Sequence, residues 1–258
     1  MSKAVVYTGA DPTYDSDDEP VGEWQDDEEV TDVTIADGVM EIKEQAFWGC
    51  AGLTNLSFLK GSAITTVGVA AFLQSGIITL LGMKGVRTIG SYAFQHCMDL
   101  RTIEGLGCEE MGEGCFAFCG LLQSMKGWPA SMTVIPACCF VYCTGMTTVD
   151  CDLSHVTSIG VDMDGDHAFA GCTSLLPPEL SARDADPAAV LAHLKRKAFL
   201  ERAPLRYAIY ASVLVARKQE GRKVAERRKA SPLAAAMAKL PPDMNRVIVE
   251  FVHGVAQR

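Results

Sequence analysis

VRTIGSYAFQHCMDLRTI, residues 86–103, is built on a spacing that recurs on both sides of it. Counted from Phe94, apolar residues stand eight and five places before (Val86, Ile89), and a small residue stands one before (Ala93). A cysteine follows three after (Cys97), then apolar residues six and nine after (Leu100, Ile103). Phe47, Phe72, Phe116, Phe140 and Phe169 fall into the same frame, so that with Phe94 the spacings run 25, 22, 22, 24 and 29 residues. A period in the twenties is the mark of stacked coils. The slot three after holds Cys50, Ser75, Cys97, Cys119, Cys143 and Cys172; the slot five before holds Ile42, Val67, Ile89, Met111 and Ile135. In the last copy Ile159 stands ten before Phe169, which predicts a five-residue insertion around 161–165 that leaves the coil as a loop.

In Leu53, Leu56, Phe58 and again in Ile78, Leu81, Met83, the last two apolar residues alternate at the period of a strand. The expectation is one short strand per coil, paired in parallel with its neighbours. Strand alternation then aims the intervening residues outward: Asn55 and Ser57, Leu80 and Gly82, Thr102 and Glu104, Ser124 and Lys126, Thr148 and Asp150. This mostly small and polar set is the expected protein-binding face, with Asn55, Ser57, Thr102, Glu104, Ser124, Lys126, Thr148 and Asp150 as its core. A coil of about two dozen residues cannot bury its own apolar side, so stability comes from stacking and both ends need covers.

The runs ITTVGVAAF, VRTIGSYAFQHCMDL, and VTSIG followed by HAFAGCTSL resemble leucine-rich repeats of the BspA type, over residues 33–176. Departures are Ser75 for the cysteine, Cys115 and Cys139 for the alanine, and the insertion in the last copy. The resemblance implies a right-handed solenoid used for binding other proteins, with no catalytic residue to carry over. The fold class is thus a β-rich α/β leucine-rich-repeat solenoid of about six coils, followed by an all-α C-terminal region.

The expected divisions are an acidic, disordered leader at 1–30, the solenoid at 31–180 and a basic helical region at 181–258. Ten acidic residues and no basic one lie between Asp11 and Glu29, and such a run repels itself and buries little. Trp24 is the one residue within it suited to dock on the first coil. After Pro177 the periodicity changes: Asp186-Pro187 starts a helix reaching about Leu200, and further helices start at Pro204, Ser231-Pro232 and Pro241. From Leu191 onward fifteen Lys or Arg face five Asp or Glu, leaving eight against twenty-seven before it, so the net charge of −9 conceals a strong asymmetry. A basic tail suits nucleic acid, acidic lipid or calmodulin-like partners, but it equally suits its own acidic chain, which is the expectation here. The final LPPDMNRVIVEFV resembles the opening of an F-box and, with PLRYAIYASVLV, a SOCS box. That resemblance implies a ubiquitin-ligase subunit as an alternative partner, with Leu240 and Ile248 at the contact.

Chemistry is sparse. Ten cysteines would suggest disulfides in a small secreted chain, but seven share the repeat's small or interior slots, and no export signal is visible at the start. The expectation is reduced thiols in the cytoplasm or nucleus. A zinc cluster can be drawn from Cys115, Cys119, Cys139 and Cys143, yet tetrahedral sites favour Cys-x-x-Cys spacing and the repeat accounts for these positions. Asp162, Asp164 and Asp166 suggest calcium, but an EF-hand fails at His167, where glycine is required, and at Thr173, where a bidentate glutamate belongs. No phosphate loop, nucleotide fingerprint or nucleophile motif is present, so neither an enzyme nor a cofactor is expected. No stretch is long and apolar enough to span a membrane.

Overall fold

The computed structural model describes residues 3–16, 20–59, 63–80, 85–104 and 107–198. The chain divides into units at Met1–Phe199 and Leu200–Arg258. The second unit lies outside the described residues, and with it the helices expected from Pro204 onward and the F-box-like segment. Among the described residues no helix is long and apolar enough to cross a membrane.

Among the described residues the coils of Phe47, Phe94, Phe116 and Phe140 carry two short strands rather than one. The strand read from the Leu-x-x-Leu run appears as β6 (Asn55–Phe58), β9 (Thr102–Glu104), β11 (Ser124–Lys126) and β13 (Thr148–Asp150). The second comes from the Thr-Ile-Gly column: β5 (Glu41–Ile42), β7 (Thr66–Val67), β8 (Thr88–Ile89), β10 (Glu110–Met111), β12 (Val134–Ile135) and β14 (Ser158–Ile159). Both sets pair in parallel, coil on coil. The glycine closing the second strand is set by close approach, since a Cβ on Gly90 would stand 2.6 Å from the Gly68 carbonyl carbon. It also supplies the ladder's donor: Gly68, Gly90 and Gly112 each give an N–H to the preceding coil at 2.7–2.8 Å. Pro136 occupies that position in the fifth coil and has no N–H to give. The ladder divides there, into β5-β7-β8-β10 and β12-β14.

Inside the coils the six phenylalanines form one stack, fully buried, with centroids 5.2–5.7 Å apart and rings within 19° of parallel. The cysteine slot has a reason beyond its size. Each thiol reaches the carbonyl of the aromatic residue one coil back: Cys97 to Phe72 O at 3.1 Å, Cys119 to Phe94 O at 3.2 Å, and Cys143 to Phe116 O and Cys172 to Phe140 O at 3.0 Å. A small side chain with a weak S–H donor fills the column and satisfies an interior carbonyl that water cannot reach.

The second coil departs from the expected register. Ile77 and Leu80 point inward, at 1% and 5% exposure, while Ile78 is half-exposed and Thr79 bridges to Thr102. The cause is one missing residue: Ser75 is followed by Gly76 and then Ile77, where Cys97 is followed by Met98, Asp99 and then Leu100. A slip of one exchanges the faces of a strand, so Leu80 belongs to the core and not to the outer face. Leu81 and Gly82 lie outside the described residues.

The acidic start, expected to be disordered, holds structure in its described residues. Trp24 takes the phenylalanine position of a further coil: its N–H bonds Ala46 O at 3.0 Å, as Phe47 N–H bonds Ala71 O at 2.8 Å. Asp27 stands in the cysteine slot, and Val30, Val33 and Ile35 repeat the spacing of Leu53, Leu56 and Phe58. They lie on β4 (Val30–Ile35), which pairs with β6 on one side and with β1 (Lys3–Tyr7) on the other. A short antiparallel pair, β2 (Thr13–Tyr14) and β3 (Pro20–Val21), lies between. Among the described residues between Asp11 and Glu29 the acidic side chains other than Asp27 are exposed, where they cost little, while Val5, Tyr7 and the β4 valines turn inward. Tyr7 closes the phenylalanine stack 5.2 Å from Phe47, and its hydroxyl accepts the Lys43 N–H at 2.8 Å.

At the other end α1 (Pro178–Ser181) supplies Ser181 O to the Gly171 N–H at 2.8 Å, the bond that a following coil would make. A helix over 187–198 begins at the expected place, with Asp186 Oδ1 accepting the Ala188 N–H at 3.0 Å. It buries Val190, Leu191 and Leu194 in the same core as the coils.

Candidate functional site

Strand pairing sets Thr102, Ser124 and Thr148 side by side, and beside them Glu104, Lys126 and Asp150. Between these rows Ile103, Met125 and Val149 turn into the core. Six of the eight expected face residues therefore share one three-stranded sheet. Asn55 and Ser57 are exposed on the other sheet, where Asn55 Nδ2 donates to Asp32 Oδ1 at 2.8 Å and Ser57 exchanges a hydroxyl bond with Thr34 at 3.0 Å. Lys126 pairs with Glu104 at 2.6 Å, and that carboxylate raises its pKa. The Thr31 hydroxyl and the Asn55 amide lower that of Asp32. The outward residues of the two sheets are polar, with the carboxylate of Asp32 on one and those of Glu104 and Asp150 beside the Lys126 ammonium on the other.

A second surface was not legible in the sequence. The residue two after each phenylalanine has left-handed backbone, φ 57° at His96, 61° at Phe118 and 55° at Tyr142. Their rings stack outside the core, 4.5 Å apart from His96 to Phe118 and 5.2 Å from Phe118 to Tyr142. In other coils the slot holds Gly49, Gln74 and Gly171, so composition carried no signal; only the shared backbone geometry unites the column.

The groups considered for metal have structural occupations. Cys115 Sγ reaches the carbonyls of Gly90 and Gly112, and Cys139 Sγ reaches Met111 Sδ. Burial pushes the thiols of Cys115, Cys139 and Cys143 up, away from the thiolate that zinc requires. In the insertion Asp162 Oδ1 caps the amides of Asp164 and Asp166, while Asp166 pairs with Arg183. Among the described residues Glu113, Cys138 and Asp162 bring one ligand atom each within 4.8 Å. Cys138 donates to Asp162 at 3.0 Å, and burial with that carboxylate pushes its thiol up to about 12, so a protonated thiol hydrogen bond accounts for their closeness.

The description BspA type Leucine rich repeat region fits the chain in six copies, across residues 24–147 and 65–180. The chain belongs to the BspA-type leucine-rich repeat proteins. The match reaches back to Trp24, in keeping with the additional N-terminal coil. The Treponema pallidum leucine-rich repeat protein TpLRR is similar in structure, with TM-score 0.55 and 20% identity over 75% of this chain and 83% of that one. The pneumococcal vaccine antigen PcpA is less so, with TM-score 0.43 and 20% identity over 64% and 38%. No curated protein matches. At these identities the likeness speaks for the fold alone.

Proposed function

We propose that this repeat protein is a non-enzymatic protein-interaction module whose partner lies across the strand face of Thr102, Ser124 and Thr148. One observation carries the reading: the outward row stays short and polar through three paired strands while the inward row is apolar. Such a face offers hydrogen bonds without steric obstruction, as solenoid binding surfaces do. The carboxylates of Glu104 and Asp150 favour a partner with basic residues. All ten cysteines are buried thiols, which supports a protein working in its reduced state. The ligase-adaptor reading draws no support from the described residues.

The test begins with a partner recovered by affinity capture and identified by mass spectrometry. Replacing Thr102, Ser124 and Thr148 together by Arg covers the face without touching the core. The variant is expected to melt as the parent does and to bind at least about tenfold more weakly, a loss of about 1.4 kcal/mol. Parental affinity in a folded variant moves the site to the His96–Phe118–Tyr142 column.

A further inference from the structure

The second ladder has an open end. Within its unbroken stretches a strand's outer side receives the next coil: Thr65 O accepts the Arg87 N–H and Val67 O the Gly90 N–H, both at 2.8 Å. At β14 the equivalent carbonyls belong to Thr157 and Ile159, and no such bond reaches them among the described residues. Among the described residues no strand lies there. It departs after Leu176, and the helix over 187–198 stands off from β14 to leave a groove of about 480 Å³. Ile159 and Leu191 form its apolar part, Ala188 and Ala192 keep its helix wall low, and Asp186 and Lys195 mark its ends. Nine helical residues separate those two charges, about 14 Å at 1.5 Å per residue, which matches about four residues of extended chain. Lys195 makes no ion pair among the described residues.

We propose that this groove is a docking site for an extended peptide segment of a partner protein, which adds a parallel strand to β14. Unpaired strand edges recruit strands. The ladder itself states what fits: a segment of the Thr-aliphatic-Gly kind, whose aliphatic side chain rests on Ile159 and Leu191 and whose amides reach Thr157 O and Ile159 O. A basic residue near one end and a carboxylate near the other suit Asp186 and Lys195. This site is separate from the strand face of the proposed function, and either can fail without the other.

The probe is a fluorescein-labelled peptide of residues 86–91, VRTIGS, with a free C-terminal carboxylate, titrated against the full chain by fluorescence anisotropy. It already makes this pairing inside the third coil. Saturable binding is expected, weakened at least about tenfold by methylating the amides of its arginine and glycine and equally by Ala192→Trp, which fills the groove. Ala192 is exposed, so the variant's melt should match the parent's. The triple arginine variant of the strand face should bind the peptide as the parent does. No saturable binding up to about 1 mM, or binding indifferent to the methylated amides or to Ala192→Trp, overturns the proposal. If the peptide instead dissociates a dimer seen by sedimentation, the occupant is a second copy of this chain and a foreign segment is wrong.

Discussion

Phe94 and Cys97 show how far one residue's role depends on its coil. Phe94 lies between two parallel rings at 5.3 and 5.4 Å, so Phe94→Ala empties a position that neighbouring coils cannot collapse into. A urea melt should show a loss of about 3–5 kcal/mol. For Cys97 the sequence suggests that a hydroxyl would be costly in an apolar column, yet Ser75 sits in the same slot, fully enclosed. The bond from Cys97 to Phe72 O changes the expectation: Cys97→Ala should cost about 1–2 kcal/mol by orphaning the carbonyl, and Cys97→Ser should recover part of it. If serine proves the worse of the two, the thiol's bond contributes nothing. His167 makes a different prediction. Its Nδ1 accepts the Phe169 N–H at 3.2 Å, so the proton is on Nε2, donated to Ala182 O at 3.0 Å. Burial lowers its pKa below the ordinary value of 6.5, although the Asp166 carboxylate opposes this and is itself engaged by Arg183. The unfolded chain therefore binds the proton more readily, and His167's contribution is complete above about pH 6.5 and is lost as the pH falls below it. Melts at successive pH values should show this slope, and His167→Gln should flatten it.

The capping elements are where the two ends of the array find their covers. The helix over 187–198 presents Val190, Leu191 and Leu194 to the last coil, at the spacing of one helical face. Leu194→Asp places an unpaired charge in that contact, and it should cost more than about 3 kcal/mol and promote aggregation through the uncovered coil. The same change at exposed Ala192 should leave the melt unaltered. Equal effects at the two positions would show that the helix is not a cap. At the other end the cover is β1, whose alternation of Val5 and Tyr7 inward against Ala4 and Val6 outward is a strand period hidden in a start too short and too close to acid to stand out.

Across the whole molecule, charge is separated from structure. The solenoid tolerates its excess of carboxylates because the repeat leaves outward positions free, and Lys3, held 4.6 Å over the Trp24 ring and bonded to Asp27, offsets only a little of it. Self-repulsion of this kind is screened by salt. Raising sodium chloride from about 0.05 to about 0.5 M, a span that shortens the screening length several-fold, should raise the melting midpoint. A midpoint that falls would mean that specific ion pairs outweigh the general repulsion.

The sequence by itself determined the period, the interior columns and the outward row on β9, β11 and β13, because a repeat prints each buried position several times over and any one substitution is outvoted. It also contained the N-terminal coil, in Trp24, Val30, Val33 and Ile35, but the carboxylates between them masked the pattern: composition reports average polarity, whereas a coil needs only its inward positions to be apolar. What the tertiary structure alone decided is whatever depends on contact between coils. That the residue missing before Ile77 turns Leu80 into the core is decided by the pairing of Thr79 with Thr102. The ladder break at Pro136 follows from a donor missing toward the coil before it. The stacked rings of His96, Phe118 and Tyr142 and the groove beside β14 arise from residues a full period or more apart, whose meeting is set by how the coils and the closing helix pack and not by any local pattern.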